Sequence, residues 1–274
     1  MFIKRLISGI VLVIVLGFAF AFGGYFLNTF LLIISLIGYA ELVKALCSET
    51  EKRKLNGPDV IAVISIVLYY IAVTFTFNYT FLILVIGGFV LMELVWFVLK
   101  FPKYSTDRIV RTIFSLLYCP VMLSFIYMLR NLDGREYFVW VVLIASWGCD
   151  TLAYCSGILF GKHHPFPQLS PKKSTEGCIG GIIGSAVLGA LFGFFYVSRF
   201  IQDSYIVPKL AIICGTGALM GMVGDLAASG IKRNNNIKDY GSLIPGHGGV
   251  MDRFDSMILC GPAAYILTYL LVSM

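Results

Sequence analysis

Residues 207–228, VPKLAIICGTGALMGMVGDLAA, form an apolar run that residues 229–255, SGIKRNNNIKDYGSLIPGHGGVMDRFD, interrupt before apolar character returns. A run of this length matches the roughly 20 helical residues needed to cross a hydrocarbon core about 30 Å thick. Outward from this pair the same alternation recurs along the chain. Hydropathy predicts nine spans, at approximately 6–23, 25–46, 59–77, 80–99, 109–130, 137–159, 177–197, 207–228 and 254–273. Composition agrees: 58% of the 274 residues are hydrophobic and only 13% charged, with a mean hydropathy of +0.87. A soluble domain of this size needs far more polar surface. The expected fold is all-α, a polytopic transmembrane helix bundle of about nine helices forming one integral membrane domain over 1–274. Within it, 1–135 supplies N-terminal helices and 136–274 the catalytic helices and cytoplasmic loops.

Lys4-Arg5 before an apolar run imitates a secretory signal, but no small-residue cleavage site follows, so this segment reads as a retained first helix. Of the 21 Lys and Arg, seventeen fall on the side of the N-terminus when the connections are taken alternately, and four (Arg130, Arg135, Arg199, Lys209) on the other. The excess of basic residues marks the cytoplasmic side, which puts the N-terminus in and the C-terminus out. The net charge of +6 therefore reads as topology signal and contact with anionic membrane lipids, and no nucleic acid is expected as a partner. Seven isolated cysteines without CxxC spacing give no support for a zinc site or disulfide framework and read as small buried hydrophobes.

The two longest polar connections of the C-terminal half, about 160–176 and 229–253, fall on the cytoplasmic side. In the second, Asp252 and Asp255 stand three apart at the start of the last helix and share one face. Two such carboxylates repel unless a cation or proton lies between them, and hard oxygen ligands suit Mg²⁺ together with substrate phosphates. Pro245-Gly246-His247-Gly248-Gly249 allows tight turns and an anion-binding nest of amides. Lys232, Arg233, Lys238 and Arg253 can neutralise a polyphosphate, although any one of them is also ordinary flanking charge. Asp225 and Asp150 are acids in apolar segments, which makes each a functional candidate. In the first connection, Lys172 and Lys173 follow Ser170-Pro171, and Ser174 or Thr175 with Glu176 can equally well cap the next helix. Glu41 and Glu93 are expected near span ends, solvated or paired, and His163 and His164 as hydrated loop residues.

Taken together, Ser229, Lys232-Arg233, Lys238-Asp239, Leu243 to Gly249 and Asp252-Arg253-Phe254-Asp255 resemble the signature of the phosphatidate cytidylyltransferases, or CDP-diacylglycerol synthases. Gly224-Asp225-Leu226, Asp150-Thr151, Ser170-Pro171-Lys172-Lys173 and Glu176-Gly177 extend the resemblance, which is strongest from about 145 to 260. Departures are Ala228 where many relatives carry Glu, Leu152 for Gly, and Ser174-Thr175 for a Thr-Trp pair. The resemblance implies that CTP and phosphatidate give CDP-diacylglycerol and pyrophosphate in phospholipid biosynthesis, at a bacterial plasma membrane with the site facing the cytoplasm. It implies Mg²⁺ on Asp225 and Asp252, with Asp255 supporting that ion or holding a second cation. Lys232, Arg233, Lys238, Arg253 and Lys173 would contact phosphates, and His247 would bind phosphate or orient the glycine turn. Ser170, Ser229, Asp239, Gly248, Gly249 and Asp150 complete the substrate-binding set, and a homodimer is the family expectation. A CTP-dependent polyprenol or other lipid-alcohol kinase would use similar chemistry. A transporter or ion channel would instead spread its polar groups along a through-path.

Overall fold

The computed structural model describes residues 2–47, 56–75, 79–244, 246 and 248–273. Among them the chain forms α1 (Phe2–Phe22), α2 (Gly24–Leu46), α3 (Gly57–Phe75), α4 (Tyr79–Leu99), α5 (Thr106–Arg130), α6 (Glu136–Phe160), α7 (Thr175–Arg199), α8 (Ile206–Asn234) and α9 (Met251–Ser273). Helices α2 to α9 are long and apolar enough to cross a membrane, as an integral membrane protein requires. No sheet occurs among the described residues, where the one isolated bridge joins Ile244 and Gly248. The expected all-α polytopic architecture therefore holds.

The two helix ends that flank the signature loop differ from the hydropathy reading. Helix α8 runs on to Asn234 and α9 starts at Met251, so Ser229, Lys232 and Arg233 are helical and the loop shrinks to 235–250. Hydropathy detects where apolar side chains stop, whereas hydrogen bonding continues past that depth. Lys232 and Arg233 in the last turn of α8 also complement the negative end of the helix dipole.

The chain divides into two compact units, Met1–Ser124 with Asn235–Arg253, and Phe125–Asn234 with Phe254–Met274. In the first, α2, α3 and α5 pack through buried polar contacts as well as apolar ones. The Ser35 and Tyr70 hydroxyls lie 2.6 Å apart, and the Tyr70 hydroxyl donates to the Pro120 carbonyl at 3.1 Å. Pro120 sits in a π turn, Leu117–Val121, the form a helix takes where proline removes a donor. Asp59 forms an ion pair with Arg108, both almost fully buried. Glu93 lies beside this pair, fully buried and with no hydrogen-bond partner on either oxygen, so it is neither solvated nor hydrogen-bonded, where the sequence suggested that it would be solvated or paired.

In the second unit α7 packs against both α6 and α8, and its glycines let the backbones approach. A Cβ on Gly189 would come within 2.6 Å of the Leu210 carbonyl and of the Cys214 side chain. Ser174 caps α7 by accepting the Gly177 amide at 3.1 Å. Glu176 receives the amides of Lys162 and His163 at 3.0 and 3.3 Å, and its other oxygen lies 2.6 Å from His163 Nδ1. The capping role for this segment is thus realised, by Ser174. All seven cysteines are free thiols, and Cys119, Cys149, Cys214 and Cys260 are buried.

Candidate functional site

In the first unit the loop after α8 folds around its own polar groups. Gly246 and Gly248 adopt φ of 80° and 90°, a left-handed conformation that glycine reaches without a Cβ penalty. A Cβ on Gly248 would also lie 2.9 Å from Asp252 Oδ2. That oxygen accepts the Tyr240 amide at 2.8 Å and the Gly249 amide at 3.0 Å. Asp252 is buried, so one of its oxygens ties the two ends of the loop together. The loop borders an open recess of about 530 Å³ lined by Lys238, Asp239, Gly241, Ser242, Ile244, Gly246, Gly248 and Arg253. Four residues expected at the substrate, Lys238, Asp239, Gly248 and Arg253, are therefore gathered in one polar recess. His247 and Pro245 lie outside the described residues.

The second unit collects another group. Lys173 Nζ lies 2.5 Å from Asp225 Oδ2. Burial pulls the Lys173 ammonium down, and the adjacent Asp225 more than offsets it, holding the side chain above the usual lysine range. Asp150 and Lys173 line a cavity of about 310 Å³ whose other walls are mainly apolar, among them Ala153, Tyr154, Ile158 and Met222. Lys172 stands at the same cavity. Next to Asp225, a Cβ on Gly224 would meet the Asp255 carbonyl oxygen at 2.5 Å, so α8 and α9 touch backbone to backbone where these two acids sit.

Ser229 is buried in α8, while Lys232 is half-buried and Arg233 exposed in its last turn. Ser170 is half-buried and accepts the Lys173 amide on its carbonyl at 3.2 Å. None of these four lines the two cavities. Among the described residues no three or more His, Cys, Asp or Glu side chains are grouped to hold a metal ion. The donors present still suit Mg²⁺, which takes one or two carboxylates and completes its shell with water and substrate phosphates.

Sequence reasoning undervalued Glu41. This acid on α2 is buried, and its two oxygens accept the Val250 and Met251 amides at 3.1 and 2.8 Å. The available signal was an acid in an apolar run, the same one that singled out Asp225.

Comparison with known proteins agrees with this architecture. The sequence profile of the cytidylyltransferase family matches residues 3–271. A phosphatidate cytidylyltransferase of Staphylococcus haemolyticus is 32% identical over 248 residues, covering 89% of this chain and 90% of the relative. That of Staphylococcus saprophyticus is 29% identical over 266 residues, or 96% and 97% of the two chains. The Bacillus subtilis protein of the same name is 33% identical over 180 residues, 65% of each. With a signature loop folded into a polar recess and a profile match over nearly its whole length, the chain belongs to the cytidylyltransferase family.

Proposed function

We propose that this protein is a phosphatidate cytidylyltransferase. An oxygen of the lipid phosphate attacks the α-phosphorus of CTP, the bond to the β-phosphate oxygen breaks, and CDP-diacylglycerol and pyrophosphate result. The observation that carries this reading is the recess of the 235–253 segment, where Lys238, Arg253 and the glycine backbone surround space for a polyphosphate. The cavity of the second unit, apolar but edged by Lys172 and Lys173, suits the phosphate and first acyl carbons of a lipid. Phosphatidate is already ionised, so the reaction needs positioning and charge neutralisation more than a general base.

Mg²⁺ is the proposed cation, with Asp225, Asp252 and Asp255 as its candidate carboxylates and a second cation admitted at Asp255. When bound it would neutralise phosphate charge and polarise the phosphorus being attacked. Lys173 remains a fixed cation. Lys232, Arg233, Ser229, Ser170 and His247 belong to the same proposal through the family signature. The site is proposed to face the cytoplasm of a bacterial cell, where CTP is available.

The test is incubation of the purified full-length protein with phosphatidate, Mg²⁺ and CTP labelled at the α-phosphate. Label should move into the lipid phase with one pyrophosphate released per labelled lipid. Lipid labelled only by γ-labelled CTP, with CDP as co-product, would identify a lipid kinase and sink the proposal.

A further inference from the structure

The first amides of a helix have no partner within it and are usually satisfied by a local Ser, Thr, Asp or Asn. Helix α9 has no such residue immediately ahead of it: Gly248, Gly249 and Val250 offer no side-chain oxygen. Three consecutive amides are instead shared between two carboxylates. Gly249 donates to Asp252, and Val250 and Met251 donate to Glu41, which lies 209 and 210 residues earlier in the chain.

Packing makes this arrangement specific. A Cβ on Gly241 would come within 2.2 Å of Glu41 Oε1, and one on Gly249 within 2.5 Å of both Glu41 oxygens. The carboxylate thus rests against two glycines, one on each side of the turn that forms the polar recess. Each oxygen has its own amide, so bidentate reception fixes the direction of the backbone as well as its place. The next residue is Asp252, whose own oxygen closes the same turn on Tyr240 and Gly249.

We infer that Glu41 is a positioning residue for this site. From α2 it holds the Val250–Met251 backbone, so that Asp252 and the glycine turn keep the arrangement that receives phosphate and cation. This inference rests on the function proposed above for its catalytic consequence, but the anchoring itself does not. Glu41→Gln keeps the shape and leaves one good acceptor, placing an amide NH₂ against the other backbone N–H. Glu41→Asp keeps the charge but withdraws it by one methylene.

Two measurements on the full-length protein test it. Hydrogen exchange in the wild type should find the Val250 and Met251 amides as protected as the interior of α9, and at least about tenfold faster in Glu41→Gln, the scale of one charge-assisted hydrogen bond. In the labelled-CTP assay Glu41→Gln should lower kcat about tenfold and raise the Mg²⁺ concentration for half-maximal rate by a similar factor. The KM for phosphatidate should stay within about twofold, a split that mere loss of stability would not produce. Unprotected Val250 and Met251 amides in the wild type, or a Glu41→Gln enzyme with wild-type kcat and Mg²⁺ requirement, would overturn the inference. Should the wild type make no CDP-lipid, the functional reading falls and the exchange measurement alone decides the anchoring.

Discussion

Asp252 and Lys173 show how much one side chain carries in this molecule. One Asp252 oxygen is committed to the Tyr240 and Gly249 amides, so its substitution acts on loop geometry as well as charge. Asn retains an acceptor oxygen in the same place. Asp252→Asn should therefore keep the thermal midpoint within a few degrees while lowering kcat by about a hundredfold or more, as expected when a group stabilising transition-state charge is lost. Retained full turnover in the labelled-CTP assay would remove Asp252 from the site. Lys173 makes an ion pair with Asp225 that is about a quarter exposed on each side, so solvent screening keeps its value to about 1 kcal/mol. Its folded value is raised, which means that the stabilisation is complete below the unfolded lysine value near 10.4 and fades as pH rises through the folded one. The thermal midpoint of Lys173→Gln should accordingly lie below that of the wild type at neutral pH and converge with it only in strong alkali. Asp252 could be singled out from sequence by its spacing from Asp255, and Asp225 because it is an acid in an apolar segment. Glu41 carried the same mark, but its partners are backbone amides more than 200 residues away, and no spacing rule connects them.

The helices themselves were legible because each needs a stretch of apolar side chains long enough for the bilayer, and that is a local property. Their ends were less so. The last turns of α8 are polar, and only the folded chain shows that hydrogen bonding continues through Arg233 to Asn234. Interhelical distance was illegible in principle, since a glycine in an apolar run does not announce what it faces. Gly224 faces the Asp255 carbonyl oxygen, whereas Gly87 on α4 has nothing within 4 Å of its would-be Cβ. Gly224→Ala should thus force α8 and α9 apart and cost about 1–3 kcal/mol. Gly87→Ala should be neutral or stabilising by up to about 1 kcal/mol. Thermal midpoints in one detergent would compare them, and equal midpoints would refute the close approach of α8 and α9.

At the scale of the whole chain, the nine spans predicted by hydropathy would put the two ends on opposite sides, and the distribution of Lys and Arg predicts which. A cytoplasm-active reporter fused before residue 1 and a periplasm-active one fused after residue 274 should both function, and the reverse pair should both fail. The opposite result would move the 235–250 loop away from cytoplasmic CTP and remove the proposed substrate with it. Composition made the membrane-length helices readable from sequence, whereas the two-unit organisation, with 235–253 assigned to the N-terminal helices, depends on contacts that no linear feature reveals. The long reach from Glu41 to Val250 and Met251 also sets a clock. At synthesis rates of about 5–20 residues per second, the 209 residues between Glu41 and Val250 take roughly 10–40 s to emerge. Throughout that interval α2 resides at the translocon or in the bilayer with a carboxylate whose two amide donors have not yet been made. A nascent chain cut short before residue 250 therefore lacks both backbone amides that receive the Glu41 carboxylate.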